Sequence, residues 1–184
     1  MQTHDAEVTM LRAICLSAAL ALPVLGITPL PAAAEVAVTY AAPDRFRDRE
    51  FRQARSRASA LAEFDREFAR LAARYLPAGQ DLAIEVLDID LAGDFEPWNV
   101  DHRDVRILRD TTPPRIRLRY TLAKGGRVLA QDEVRLTDLN YLSDPAARNS
   151  GKRFAHDKRL LEDWFRKTFA IAPADRSPSR TPGA

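Results

Sequence analysis

The side chains best suited to chemistry lie in one acidic stretch, LDIDLAGDFEPW, at positions 87–98. A calcium-binding loop needs several carboxylate oxygens at fixed spacing around a glycine. Four positions agree with that spacing, namely Asp88, Asp90, Gly93 and Glu96. Two do not, because the fifth is Ala92 and the twelfth is Asn99 instead of a bidentate glutamate. One hypothesis is therefore a cation-dependent module or hydrolase that uses Asp88, Asp90, Asp94 and Glu96.

The same stretch also fits a strand whose acids face solvent. Asp88 and Asp90 would lie on its polar face, with Glu85 joined to them across a bulge, and Arg117 and Arg119 would lie on the polar face of another strand. Opposite charges directly across a sheet contribute roughly 0.2 to 1 kcal/mol per pair. Such an acid–base ladder needs no ligand, so we predict neither a metal nor a cofactor at these acids.

Histidine chemistry has less support. His102 and His156 are the two histidines beyond position 34. Neither has a second histidine at metal-binding spacing, and the sequence offers no serine flanked by glycines that could act with them as a nucleophile. We therefore predict no catalytic residue and favour a protein that is not an enzyme.

A second group of polar residues could form a small pocket. Asp138 and Asn140 would either cap the backbone at a strand end or face this pocket, and Tyr141 would pack below them. Trp98 would either close the core or offer a stacking surface. The pocket hypothesis comprises Trp98, Arg109, Asp110, Asp138, Asn140 and Tyr141.

The first residues predict export. Arg12 precedes an apolar run over 13–27, and Ala32-Ala33-Ala34 supplies the pattern after which a signal peptidase cuts. We expect a signal peptide over 1–34, cleavage after Ala34 and a periplasmic location. The run is too short and too interrupted for a membrane span, so none is expected after cleavage. Translation could begin at Met1 or Met10.

Removing the predicted leader from the 184-residue chain leaves 150 residues, a length typical of one domain. Cys15 is the only cysteine and would leave with it, so no disulfide is expected. The leader holds one of the 28 basic and two of the 26 acidic residues. The remaining 150 residues therefore have a net charge of +3, which is 27 − 24. This mixed charge does not indicate nucleic-acid binding.

Hydrophobic periodicity predicts two helices and several strands. Apolar residues recur at steps of three and four over 50–76 and again over 153–169. Alternation predicts strands, with a bulge between Val86 and Leu87 and a hairpin turn over 124–127. The predicted strands cover 36–40, 82–91, 105–108, 115–122 and 128–136. In the last of them, one face would carry Val128, Ala130, Val134 and Leu136. Loops are predicted over 94–104 and 143–152.

These elements predict a single α+β domain over 35–171, in the order β-α-β-β-β-α. We expect an antiparallel-rich sheet of about four strands with two helices packed on one face. The remaining tail, 172–184, lacks apolar residues and is predicted to be disordered.

One face of such a sheet would be left without helices. Charged residues on it could dock a partner, and a long edge strand could pair with another chain, so self-association stays open. The favoured function is a non-enzymatic periplasmic binding or scaffolding module of the cell envelope, whose partner is an unknown envelope protein or polymer and not nucleic acid. The partner-binding residues would be Arg117, Arg119, Glu133 and Arg135.

Several segments together resemble the domain-of-unknown-function family 3016, small secreted proteins mostly of proteobacteria. The resemblance spans 38–169 and departs from the family at 143–152. The segments are VTYAAPDRFRD, LPAGQDLAIEVLDIDLAGDFEPW, VRILRD, PRIRLRYTL, DEVRLTDLNYL and KRLLEDWFRKTF. The resemblance implies export and one compact domain, and it implies no activity, cofactor or catalytic residue.

Overall fold

The fold is seen in a computed structural model, which describes residues 35–96, 98 and 105–170. The predicted signal peptide with its cleavage site after Ala34, His102 and the predicted disordered tail over 172–184 lie outside the described residues.

A four-stranded sheet forms the centre of the described chain. Its strand order is β1-β2-β5-β6, with β1 parallel to β2 and the other neighbours antiparallel. A separate two-stranded ribbon, β3 with β4, lies between β2 and β5 in the sequence. The strands are β1 Glu35–Tyr40, β2 Gln80–Asp90, β3 Asp94–Phe95, β4 Arg106–Ile107, β5 Arg115–Lys124 and β6 Arg127–Thr137.

The predicted bulge and hairpin turn are both confirmed. The register between β2 and β5 shifts between Val86 and Asp88, so Leu87 is the extra residue and both apolar sets of β2 face the core. Gly125 and Gly126 join β5 to β6 with φ of 56° and 79°, the positive values that a tight two-residue hairpin turn requires.

The helices cover one face of this sheet, which confirms the predicted α+β class. The helices are α1 Ala54–Tyr75, α2 Pro145–Arg148 and α3 Ala155–Phe169. Apolar side chains of α1 and α3 share one core with the inner faces of β2 and β5. Phe64, Phe68, Leu161 and Phe165 are almost fully buried there. Burying each such side chain stabilises the fold by about 1.5 to 3 kcal/mol.

Three predictions of secondary-structure boundaries are wrong. The first helix begins at Ala54, because residues Arg49–Phe51 form a separate 3-10 turn with Asp48 as its N-cap. The predicted loops over 94–104 and 143–152 contain β3 and α2, respectively.

Val128 does not share a face with Ala130. The register between β5 and β6 shifts between Leu122 and Ala123, so Val128 pairs with Ala123 on the opposite face and is 51% exposed. A bulge at Leu129 moves the side chains on either side of it to different faces.

Of the helices in the described part of the chain, none has the length and apolar character needed to cross a membrane.

Candidate functional site

The acids of the stretch 87–96 do not converge on one point. Asp88 accepts a hydrogen bond from the backbone N–H of Arg47 at 2.8 Å. Asp90 is paired with Arg115 at 3.2 Å and with Arg47 at 3.8 Å. Burial raises the pKa of Asp90, although both arginines oppose that rise.

The remaining two acids have local partners. Asp94 accepts a hydrogen bond from the backbone N–H of Phe95 at 2.7 Å, and Glu96 is buried and accepts one from Nε of Arg109 at 2.6 Å. No group of three or more His, Cys, Asp or Glu side chains within the described ranges could hold a metal ion. Each of the four acids thus has a structural partner.

Charged side chains form a ladder on the outer face of the sheet, which none of the helices in the described ranges covers. Arg119 lies 2.6 Å from Glu85 on one neighbouring strand and 3.0 Å from Glu133 on the other. Of the predicted acid–base ladder, the structure shows the pair of Glu85 with Arg119. Asp88 and Asp90 have other partners, and Arg117 lies nearest to Glu133. Because Arg119 is paired on both sides, it adds little free positive charge to this face.

Arg117 and Arg135 break the alternation of sign. They occupy directly opposite positions on β5 and β6. Arg117 reaches Glu133 only at 3.7 Å, and Arg135 has no ion pair with any described residue. Like charges directly opposite each other destabilise a sheet. This pair therefore leaves positive charge that an anion would neutralise.

Two adjoining clefts extend this positive region around the end of the sheet. One has a volume of about 490 Å³ and the other about 410 Å³, and both are lined by Arg47, Asp90 and Arg115. We call their combined surface the arginine groove. Its charged residues, apart from Asp48, are Arg47, Arg49, Arg52, Arg115, Arg117 and Arg135, with Asp88, Asp90 and Asp94.

A buried ion pair fixes the segment that carries Arg47. Asp48 is 6% exposed, and its carboxylate accepts hydrogen bonds from Arg106 at 2.7 and 2.8 Å. The same carboxylate accepts the backbone N–H groups of Glu50 at 2.7 Å and Leu91 at 3.2 Å. One side chain thus connects the 3-10 turn, the end of β2 and β4, and its charge is neutralised by Arg106.

Gly93 lines the same groove and permits a close approach of the ribbon. Its φ is +80°, and a Cβ at this position would lie 2.6 Å from the carbonyl oxygen of Ile107. A side chain here would therefore strain the backbone and displace β4.

The residues of the predicted polar pocket are brought together only in part. The hydroxyl of Tyr141 donates to the carbonyl oxygen of Arg109 at 2.6 Å, which links the two across 32 positions. Asp138 accepts the backbone N–H of Asn140 at 2.8 Å, as in the capping alternative. Asp110 is exposed.

Trp98 does not close the core. It is 74% exposed, so that alternative is wrong, and the described structure leaves its stacking role as a prediction.

The sequence reasoning missed half of the groove. These residues are Arg47, Arg49 and Arg52, which the hydrophobic patterns that predict the strands and helices do not single out. The signal was present in DRFRDREFR, where arginines alternate with acids and phenylalanines over 44–52. Alternation of this kind just after a predicted strand places charge at one end of the sheet.

These features define a small α+β domain with a mostly antiparallel sheet and an arginine groove at one end of its open face. The model of a family described as proteins of unknown function, DUF3016, matches residues 34–167, and the chain belongs to that family. The resemblance stated from sequence segments is thus confirmed. Neither a curated protein nor a solved structure matches the chain.

Proposed function

We propose that this chain is an exported, non-enzymatic binding module of the cell envelope. Its arginine groove would dock an extended polymer that carries phosphate groups. The proposal rests on the positive charge of the groove. Its lining contains six arginines and three aspartates, not counting Asp48, whose charge is neutralised by Arg106.

The arrangement of the arginines favours phosphate. A guanidinium donates two parallel hydrogen bonds to phosphate or carboxylate oxygens. Side chains directly opposite on antiparallel strands have Cβ atoms about 4.5 to 5.5 Å apart. Arg117 and Arg135 are opposite in this way. One phosphate group can accept from both, and further groups along a polymer would reach the adjoining cleft at Arg47 and Arg115.

Binding is proposed instead of catalysis because guanidinium groups stay protonated in proteins. They can orient and neutralise an anion, but they do not exchange protons at neutral pH. The groove therefore suits recognition and retention of a ligand.

Export is proposed from the leader pattern over 1–34. The full chain, produced with its own N-terminus, is expected in the periplasmic fraction with Glu35 as its first residue. Fractionation followed by N-terminal sequencing checks this. Recovery of the uncleaved chain in the cytoplasm would contradict export.

Neutralising the opposed arginines should weaken polymer binding. R117Q/R135Q removes two positive charges from the groove and is expected to bind inorganic polyphosphate at least tenfold more weakly, which corresponds to about 1.4 kcal/mol. Binding to the parent protein should also fall as salt rises, because exposed charges are screened. Titration by fluorescence anisotropy with labelled polyphosphate measures both effects.

The matched control is R55Q/R127Q, which removes the same charge from two exposed arginines outside the groove. It should keep the affinity of the parent within about twofold. Equal losses in both double variants would reduce the effect to net charge and refute the groove. Binding to polygalacturonate, a carboxylate polymer, without binding to polyphosphate would overturn the phosphate assignment.

A further inference from the structure

The last strand of the sheet, β6, has one free edge. It pairs with β5 on one side, and no strand in the described ranges pairs with it on the other. A long free edge presents unpaired N–H and C=O groups that a further strand can satisfy. We propose that two copies of the chain join at this edge, antiparallel, about a two-fold axis at Val134. The proposal goes beyond the function assigned to the arginine groove and does not depend on it.

The backbone of β6 alternates between its two sides. In an antiparallel pair, each residue directs both its N–H and its C=O either to the neighbouring strand or away from it. The N–H of Glu133 donates to the side chain of Asp132 at 2.8 Å, so Glu133 directs its backbone away from β5. Gln131, Arg135 and Thr137 follow the same phase, because the register with β5 does not shift between them. These four residues carry the backbone groups that a second copy would reach.

Charge selects the register of this pairing. Two-fold symmetry places residues that are equally far from the axis opposite each other. An axis at Asp132, Glu133 or Arg135 would place that residue opposite its own copy, and like charges directly opposite destabilise a sheet. An axis at Val134 instead places Glu133 opposite Arg135 of the second copy, once on each side of the axis. The outward-directed residues of the two copies then face one another, and each facing pair exchanges both of its N–H···O hydrogen bonds.

The same register gives Arg135 the acid that it lacks. Arg135 lies opposite Arg117 on β5 and forms no ion pair with a described residue. In the dimer, Glu133 of the second copy lies on its other side. Glu133 can accept this guanidinium, because Arg119 binds its Oε2 at 3.0 Å while its Oε1 is 3.7 Å from Arg117. The other arginines of the groove are not on β6 and take no part in the pairing.

Two exposed leucines lie at the ends of the same interface. Leu129 is 43% exposed and Leu139 is 73% exposed. They are equally far along the chain from Val134, so the proposed axis brings Leu129 of one copy to the end of the interface that holds Leu139 of the other. Contact between them removes apolar surface from water, which favours association.

The test begins with the mass of the full chain in solution, measured by sedimentation equilibrium without polyphosphate. The parent is expected to dimerise with a dissociation constant below about 100 μM. E133R and R135E each place like charges opposite each other across the axis. Each variant should dimerise at least tenfold more weakly than the parent. Because both positions are exposed, the fold should be retained.

Mixing the two variants tests the register itself. E133R and R135E carry opposite charges at both facing positions, so a mixture of them should form a mixed dimer with an affinity within about threefold of that of the parent. Another mode of association would give no such recovery.

The matched control is E85R. Glu85 pairs with Arg119 as Glu133 does, and its side chain is similarly exposed, but it lies on β2, away from the free edge. E85R should therefore dimerise like the parent. The inference is overturned if the parent has the mass of one chain at about 1 mM, if E85R loses the dimer as E133R does, or if the mixed variants do not associate. Polyphosphate binding by a monomeric parent would overturn the dimer and leave the arginine groove in place.

Discussion

Replacing Asp48 with alanine is expected to lower the free energy of unfolding by about 3 to 5 kcal/mol, because it removes one partner of a buried ion pair. Arg106 would keep its charge, its 2.8 Å hydrogen bond to the carbonyl oxygen of Gly93 and its position 4.7 Å from the centre of the Phe95 ring. The backbone N–H of Leu91 would also lose its acceptor. An unpaired charge and an unpaired donor would then share one buried site.

Urea unfolding of the parent and of D48A measures this loss. The matched control is D81A, since Asp81 is an exposed acid on β2. Substitutions at such surface positions usually change stability by less than about 0.5 kcal/mol. Equal midpoints for D48A and D81A would show that the Asp48–Arg106 pair does not hold the ribbon to the sheet.

The same comparison can be extended to function. If the arginine groove depends on Asp48 to place Arg47, then D48A should also weaken polyphosphate binding under conditions where it remains folded. Asp48 would then act as a positioning residue, because its carboxylate is turned to Arg106 and to backbone N–H groups.

Periodic patterns predicted most of the fold because they depend on neighbouring residues alone. Alternation along β2 located the bulge, since a single slip at Leu87 is visible as two apolar sets out of phase. Gly125 and Gly126 located the hairpin for the same local reason. The bulge at Leu129 was missed because Leu129, Val128 and Ala130 are all apolar or small, so no phase change marks it.

The contacts that could not be predicted from the sequence join residues that are far apart in the chain. Asp48 and Arg106 are 58 positions apart, and neither position reveals that the other is its partner. In the acidic stretch 87–98, a local pattern suggested a site that the folded chain does not form. Its spacing resembles that of a calcium-binding loop. In the folded chain, however, Asp90 pairs with Arg115 and Glu96 pairs with Arg109. The carboxylates have separate partners because the sheet places an arginine or a backbone N–H beside each one.

Asp157 provides the second large effect, because its ionisation opposes the fold. The side chain is 2% exposed, and burial raises its pKa to about 7 from an ordinary value of 3.8. The backbone N–H of Ala92 and the charge of Arg106 favour the ionised form but do not compensate for the lost hydration. Between about pH 4 and pH 7 the folded chain therefore holds a proton that the unfolded chain has released.

The stability contributed by this proton is fully present below about pH 4 and is lost as the pH rises to about 7. Each pH unit in that window is worth about 1.4 kcal/mol, so the parent should lose about 4 kcal/mol relative to D157N between pH 4 and pH 8. Asparagine cannot ionise, yet its side-chain oxygen can still accept the N–H of Ala92. Urea unfolding of both proteins across this pH range measures the difference. A difference that stays constant within about 1 kcal/mol would mean that Asp157 is already ionised in the folded protein at low pH.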